Sequence, residues 1–206
     1  MPPVSATIAC RLTLSNRCLT SRAVRTLASI FAIALLFGAA GPTHAQDIRH
    51  VDFEVEPLAY VFGGAGGHVG LQVGAWKYEV EAFGLEVPSS LHGNDGFTAS
   101  PRGVEIHAER LLGEGSGGFY VGPEAGIVRL DLTHDASGTS ERHTRYSVGV
   151  RGGYTWYPGL GDLYLSPVVG VSYTLNGEDV TIGGDPFESA PLSPWGTIGI
   201  GWSFSR

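Results

Sequence analysis

The sequence predicts an all-β fold, a closed antiparallel up-and-down barrel of eight strands. Three observations lead there. Beyond residue 45, apolar and polar residues alternate at period 2 again and again, and no stretch places its apolar residues at helical spacing. The connections between the alternating segments fall into a short set and a long set, one at each end of a barrel. Glycine is abundant: 29 of the 161 residues from Gln46 onward, or 18%, against roughly 7% in an average chain.

The first 45 residues are of a different kind. Arg11, Arg17, Arg22 and Arg25 occur there without any acidic residue, followed by the 14-residue apolar run Leu27 to Ala40 and then Thr43-His44-Ala45, a small-x-small cleavage pattern. This reads as a secretory signal peptide over 1–45, leaving a barrel domain over 46–206; the apolar run is too short for a membrane-spanning helix, which needs about 20 residues. Cys10 and Cys18 both precede the apolar run, so the exported domain carries no cysteine. It keeps nine basic residues against 20 acidic ones, a formal charge of −11, which argues against a nucleic-acid partner on bulk sign.

The first segment sets Val51, Phe53, Val55, Ala59 and Val61 against Asp52, Glu54, Glu56, Leu58, Tyr60 and Phe62, and Val69, Leu71 and Val73 keep the same parity after the glycine run 63–67. That run, with no helix and lysine after it, is read as a flexible hairpin tip or a kink rather than a phosphate loop. Parity then flips, with Tyr78, Val80 and Ala82 against Lys77, Glu79 and Glu81. A flip without a turn would reverse every side chain on the sheet, so a tight turn is placed at Gly74 to Trp76. Four further alternating stretches begin at Val104, Phe119, Tyr146 and Leu163, and a last one runs from Thr197 to Phe204. Eight strands bring both chain ends to one side. Short turns are expected there, at 74–76, 113–118 and 158–162. The opposite end receives 63–67, 88–102, 134–144 and 177–191.

Periodicity alone does not say which face looks inward. The polar face is built largely of Gly and Ser, and the chain has one lysine, Lys77, which suits a cramped interior better than a water-exposed surface. Trp76, Tyr146, Tyr154, Trp156, Tyr173, Trp195, Trp202 and Phe204 fall near strand ends, as interfacial girdles do. With the apolar face turned to lipid, the lumen holds Glu54, Glu56, Glu79, Glu81, Glu105, His107, Glu109, Glu124 and Arg151. Arg151 is expected to bridge several of these acids, because confined carboxylates are costly unless paired.

The leader, the eight segments, the stretches Gly118-Phe119-Tyr120-Val121-Gly122-Pro123 and Val150-Arg151-Gly152-Gly153-Tyr154, and the closing Trp195 to Phe204 run resemble the small outer-membrane β-barrel proteins, the OmpA-transmembrane-domain and OmpX-like class. The resemblance spans the exported domain and rests on pattern. One departure is that Phe204 is followed by Ser205 and Arg206, where the class usually ends on an aromatic residue. It implies a transmembrane barrel in the outer membrane, in contact with outer-membrane lipid, inserted by the barrel assembly machinery and present as a monomer.

The chemistry-bearing residues are read conservatively. Glu105-x-His107-x-Glu109 puts three ligand types on one strand face, but same-face spacing does not fix a metal geometry, so no metal and no cofactor is assigned. The loop His134-Asp135-Ala136-Ser137, with Ser140 and His143, contains the residue types of a hydrolase, and so do many polar loops; no His-x-Ser pair occurs and no catalytic residue is assigned. Asp95, Glu178, Asp179 and Asp185 read as solvated loop acids. The expected role is structural, in envelope integrity or surface interaction through the long loops. The alternatives are a narrow channel for small or hydrophobic solutes and a soluble periplasmic lipocalin-like binder.

Overall fold

The structure, a computed structural model, describes residues 48–113 and 117–205; the signal peptide expected over 1–45 lies outside the described residues. Eight strands close into an antiparallel barrel: β1 (Ile48–Val55), β2 (Ala65–Val73), β3 (Trp76–Gly84), β4 (Phe97–Leu111), β5 (Gly118–His134), β6 (Ser140–Thr155), β7 (Leu163–Thr174) and, after a small hairpin of β8 (Val180–Ile182) and β9 (Asp185–Phe187), β10 (Leu192–Ser205). Each barrel strand pairs with its neighbour in sequence, and β10 closes onto β1. The expected tight turn is present: Gly74 and Ala75 join β2 to β3, with Gly74 at φ 62° supplying the positive dihedral.

The register fixes the barrel's dimensions. Followed strand to strand, the ladder runs from Phe53 through Val69, Val80, Ile106, Ala125, Val148 and Tyr173 to Leu192. Phe53 itself pairs with Trp202, ten residues further along β10. A stagger of ten over eight strands gives a tilt of about 40° and a radius of about 8 Å at ordinary strand spacings. An interior that narrow is filled by side chains.

The inner and outer faces are opposite in character to those of a soluble protein. Outward along the ladder stand Phe53, Val69, Val80, Val104, Ile106, Val121, Ile127, Val150, Val169, Ile198 and Trp202, each about half exposed or more. Inward stand charged residues with almost no exposure. The apolar band has limits: on β4 the outward residues run from Arg110, whose guanidinium lies 5.7 Å from the Trp76 ring, to Arg102. Eight residues at about 3.3 Å each, tilted by about 40°, span about 20 Å between them, and arginine side chains reaching outward extend this toward the roughly 25 Å band of outer-membrane barrels. Beyond Arg102 the outer face carries Arg129, Asp131 and Arg142, with Arg142 Nε donating to Asp131 Oδ1 at 2.5 Å.

Several expectations are corrected. Leu58 to Phe62 do not continue the first strand: Pro57 to Val61 form a short helix, α1, with proline in its first turn, where its missing N–H costs nothing. The glycine run is not a tip. Gly63 follows α1 at φ 68°, Gly64 sits where a Cβ would lie 1.8 Å from the Gly84 carbonyl oxygen, and the rest opens β2. The connection placed at 134–144 shrinks to 135–139, and residues 97–102 belong to β4. These strands outlast the apolar alternation because their upper outer faces stand clear of the apolar band and become polar. The remainder of 88–102 contains a second short helix, α2 (Ser89–His92).

The long strands β4 to β6 thus build a wall that rises above the low side made by β1 to β3. Against its inner face lies the β8–β9 hairpin. Ile182 and Phe187 pack on Phe97, Ala99 and Leu132, with the Phe97 and Phe187 rings edge to face at 5.5 Å. Asn94 holds the hairpin down through both amide atoms, Oδ1 accepting from Glu188 N at 2.7 Å and Nδ2 donating to Glu188 O at 3.1 Å. The last loop, read from sequence as a solvated acidic segment, therefore carries an apolar roof.

Candidate functional site: the charged interior

Inward positions of β1 to β4 place the charges because side chains alternate strictly and the cross-strand register brings them level. Glu54 pairs with His68, His68 with Glu81 and Glu81 with Glu105; one step nearer the chain ends, Glu79 pairs with His107 and His107 with Glu124, and one step further Lys77 pairs with Glu109. Glu54, Glu56, Glu79, Glu81, His107, Glu109, Glu124 and Arg151 are buried, and Glu105 is half-buried. Sequence reasoning missed Asp52, His68, Gln72 and Lys77, which are buried beside them. Asp52, Gln72 and Lys77 could have been found, since they share the inward parity; His68 was obscured by the glycine run before it.

Two cations organise the cluster. Lys77 Nζ lies 2.7 Å from Glu79 Oε1 and 3.4 Å from Asp52 Oδ2, and 5.3 Å from the centre of the Tyr164 ring. Arg151 Nε lies 3.1 Å from Glu109 Oε1, and its Nη1 is 3.8 Å from Glu81 Oε2 and 2.7 Å from His107 Nδ1. Arg151 therefore meets two of the acids and one histidine, while Lys77 shares the work expected of it alone. Glu124 is held apart from both cations: its Oε1 accepts from Ser172 Oγ at 2.5 Å and from Trp195 Nε1 at 3.2 Å. Trp195 thus faces the interior and is not part of an outer girdle. Below the charges, Tyr120 Oη and Ser166 Oγ bond at 2.9 Å, and Leu111, Tyr120 and Val168 form a second apolar cluster.

The interior glycines make room for these side chains. A Cβ on Gly199 would fall 1.8 Å from Glu54 Oε1, one on Gly149 2.4 Å from Glu124 Oε1, and one on Gly201 2.1 Å from Tyr164 Cζ. Tyr164 is fully buried, so it cannot swing aside. Gly201→Ala is therefore expected to destabilise the barrel by about 1–3 kcal/mol through overpacking, measured by urea unfolding in lipid vesicles; an unchanged midpoint would show that the lumen has slack.

The loop residues weighed for hydrolysis do meet, though not as the sequence suggested. His134 Nδ1 lies 2.8 Å from Ser137 Oγ and its Nε2 lies 2.9 Å from Asp185 Oδ2, on the hairpin; Asp135 instead accepts from Thr98 Oγ1 at 2.9 Å. Ser137 donates its proton to Thr139 Oγ1, also at 2.9 Å. His134 pins the hairpin to the wall. Ser140 bonds to Thr133 and His143 stands 3.4 Å from Glu141, so neither joins His134.

No protein-family model and no curated protein matches this sequence. Among solved structures, the chain is similar to the crystal structure of Neisserial surface protein A (NspA), with 15% identity and a TM-score of 0.43, covering 76% of this chain and 95% of that one. At that identity the likeness concerns the fold alone. What the interior can do chemically rests on its own residues: it concentrates carboxylates, two imidazoles and two fixed cations in a space closed off by the barrel wall.

Proposed function

We propose that this chain is an integral outer-membrane β-barrel whose lumen is plugged by a carboxylate-rich side-chain network, with a structural, envelope-integrity or surface-interaction role carried by the raised wall and its hairpin. The observation that carries this reading is the reversed polarity of the barrel, half-exposed Val, Ile, Phe and Trp outside and buried Glu, His, Lys and Arg inside. Such a surface is stable in hydrocarbon, where a closed barrel leaves no unpaired backbone edge, and unstable in water. The same observation disfavours a soluble lipocalin-like binder, which would have its apolar face inside.

Cell fractionation with electrophoretic mobility before and after boiling tests the reading. The expected result is recovery in the outer-membrane fraction, solubility only in detergent, and a mobility shift on boiling. Recovery in the periplasm without detergent would overturn it. In planar bilayers the purified barrel is expected to give no single-channel steps, because the Tyr120, Tyr164 and Leu111 layer and the hairpin roof close both ends of the charged section. Reproducible steps lost in a lumen variant would shift the reading to a narrow channel.

A further inference from the structure

Nine basic residues follow Gln46, and three of them, Arg102, Arg129 and Arg142, stand together on the outward face of β4, β5 and β6. Arg102 pairs directly with Arg129 across the β4–β5 ladder, and Arg142 pairs with Asp131, two residues beyond Arg129. Like charges directly opposite one another on a sheet repel, so the fold gains nothing from setting Arg102 against Arg129. Their height is defined by the outward column of β4: Ile106 and Val104 are 58% and 52% exposed, and Arg102 is the next residue on that face. The three arginines thus begin where the apolar band ends.

The neighbouring carboxylates leave most of their donors unused. Arg142 Nε donates to Asp131 Oδ1 at 2.5 Å, and Arg129 Nε lies 3.7 Å from Asp131 Oδ2. Both contacts use Nε, so the Nη groups of these two arginines have no protein partner among the described residues. Arg102 makes no ion pair among the described residues and is exposed. Glu86, on the β3 side between the Leu85–Pro101 hydrogen bond and the Val87–Ala99 bridge, makes none either. With side-chain exposures of 46% for Arg129 and 63% for Arg142, the free ends of the guanidinium groups face outward.

Planar guanidinium forks match phosphate oxygens two at a time. Three cations less the Asp131 carboxylate leave two positive charges, and a phosphomonoester carries about −1.5 to −2 at neutral pH. Asp131 already restrains Arg129 and Arg142, so less side-chain freedom is lost when an anion arrives. The position selects the carrier of that anion. A group that meets Arg102 stands beside Val104, which faces hydrocarbon if the chain is the membrane barrel proposed above, and this inference rests on that reading. We propose that Arg102, Arg129 and Arg142 bind the phosphate headgroup of a lipid in the leaflet nearest the raised wall, with its acyl chains along Val104, Ile106 and Ile127.

The test uses the folded barrel in neutral detergent and phosphate-free buffer, with bound molecules counted by native mass spectrometry. Three probes are compared: dioleoyl phosphatidic acid, whose headgroup is a bare phosphomonoester; dioleoylglycerol, the same chains without phosphate; and inorganic phosphate. One phosphatidic acid per barrel is expected, bound about 100-fold more tightly than dioleoylglycerol, since each arginine contributes about fivefold. Arg102→Gln, Arg129→Gln and Arg142→Gln are each expected to weaken binding about fivefold and the triple variant about 100-fold. Arg110→Gln, at the other edge of the band, is expected to bind as the parent does. The mobility shift on boiling confirms that each variant is folded, and the comparison of probes on the parent protein decides should a variant fail to fold. Equal affinity for phosphatidic acid and dioleoylglycerol, a folded triple variant that binds as the parent does, or an equal loss in Arg110→Gln overturns the proposal. Inorganic phosphate bound as tightly as phosphatidic acid also overturns it, since the site would then take a free anion. A barrel that needs detergent and shifts on boiling, yet does not distinguish the probes, keeps the membrane reading and loses this one; a chain soluble without detergent loses both.

Discussion

Ile106→Arg is expected to lower the unfolding free energy of the barrel in lipid vesicles by about 2–4 kcal/mol, the cost of an arginine on the lipid face near the bilayer midplane. Ile106 is the position to choose because it stands on β4 four residues from Arg102 and four from Arg110, the two charges that bracket the apolar band, and it is 58% exposed. Its side chain touches little within the protein, so removing it opens no cavity. In water the same substitution falls within about 0.5 kcal/mol, as surface changes do. Urea unfolding in vesicles, followed by tryptophan fluorescence and by the boiling-sensitive gel band, measures the difference. A change under about 0.5 kcal/mol would mean that this face meets water, and with it the reading of a membrane barrel would fall.

Arg151→Ala acts on the other face and is expected to cost about 3–5 kcal/mol. The guanidinium is buried and holds Glu109 at 3.1 Å, with Glu81 and His107 beside it and the Trp195 ring 5.4 Å away. Removing one partner of a buried ion pair leaves the other charge without compensation in a place water reaches poorly. The double variant Arg151→Met with Glu109→Gln removes both charges and is expected to recover most of the loss. The two variants compared under the same unfolding conditions separate the ion pair from simple packing. A single variant as stable as the parent would show that the lumen is hydrated enough to screen Glu109.

Much of the barrel could be read from alternation because a strand buried on one face writes its contacts at every second residue. The parity flip between Val73 and Tyr78 locates the turn to within a residue, and the inward list from Glu54 to Arg151 follows from the same parity. Alternation fails where its physical cause is absent. Leu58, Ala59 and Val61 alternate by coincidence inside α1, where Pro57 and local hydrogen bonding decide the backbone. Trp195 shares the inward parity, yet an aromatic ring near a strand end reads as an interfacial anchor unless the interior Glu124 and Ser172 that bind its N–H are known. The hairpin roof is invisible to a short-range pattern, since Ile182 and Phe187 are matched by Phe97 and Leu132, far back in the chain.

The unequal ladders carry a kinetic consequence. The β5–β6 hairpin is joined by sixteen residue pairs across a five-residue turn, whereas the seam between β1 and β10 has six, linking His50 to Ser205. Hairpins with near neighbours form quickly, and a contact across so long an intervening chain waits until that chain is ordered. Closure of the seam is thus expected to be the last event of assembly and its parting the first of unfolding. Above Val55, β10 pairs with β7 alone, and α1 lies where the next strand would be. The short helix thus lies beside a stretch of β10 edge that would otherwise be open to a strand from another chain.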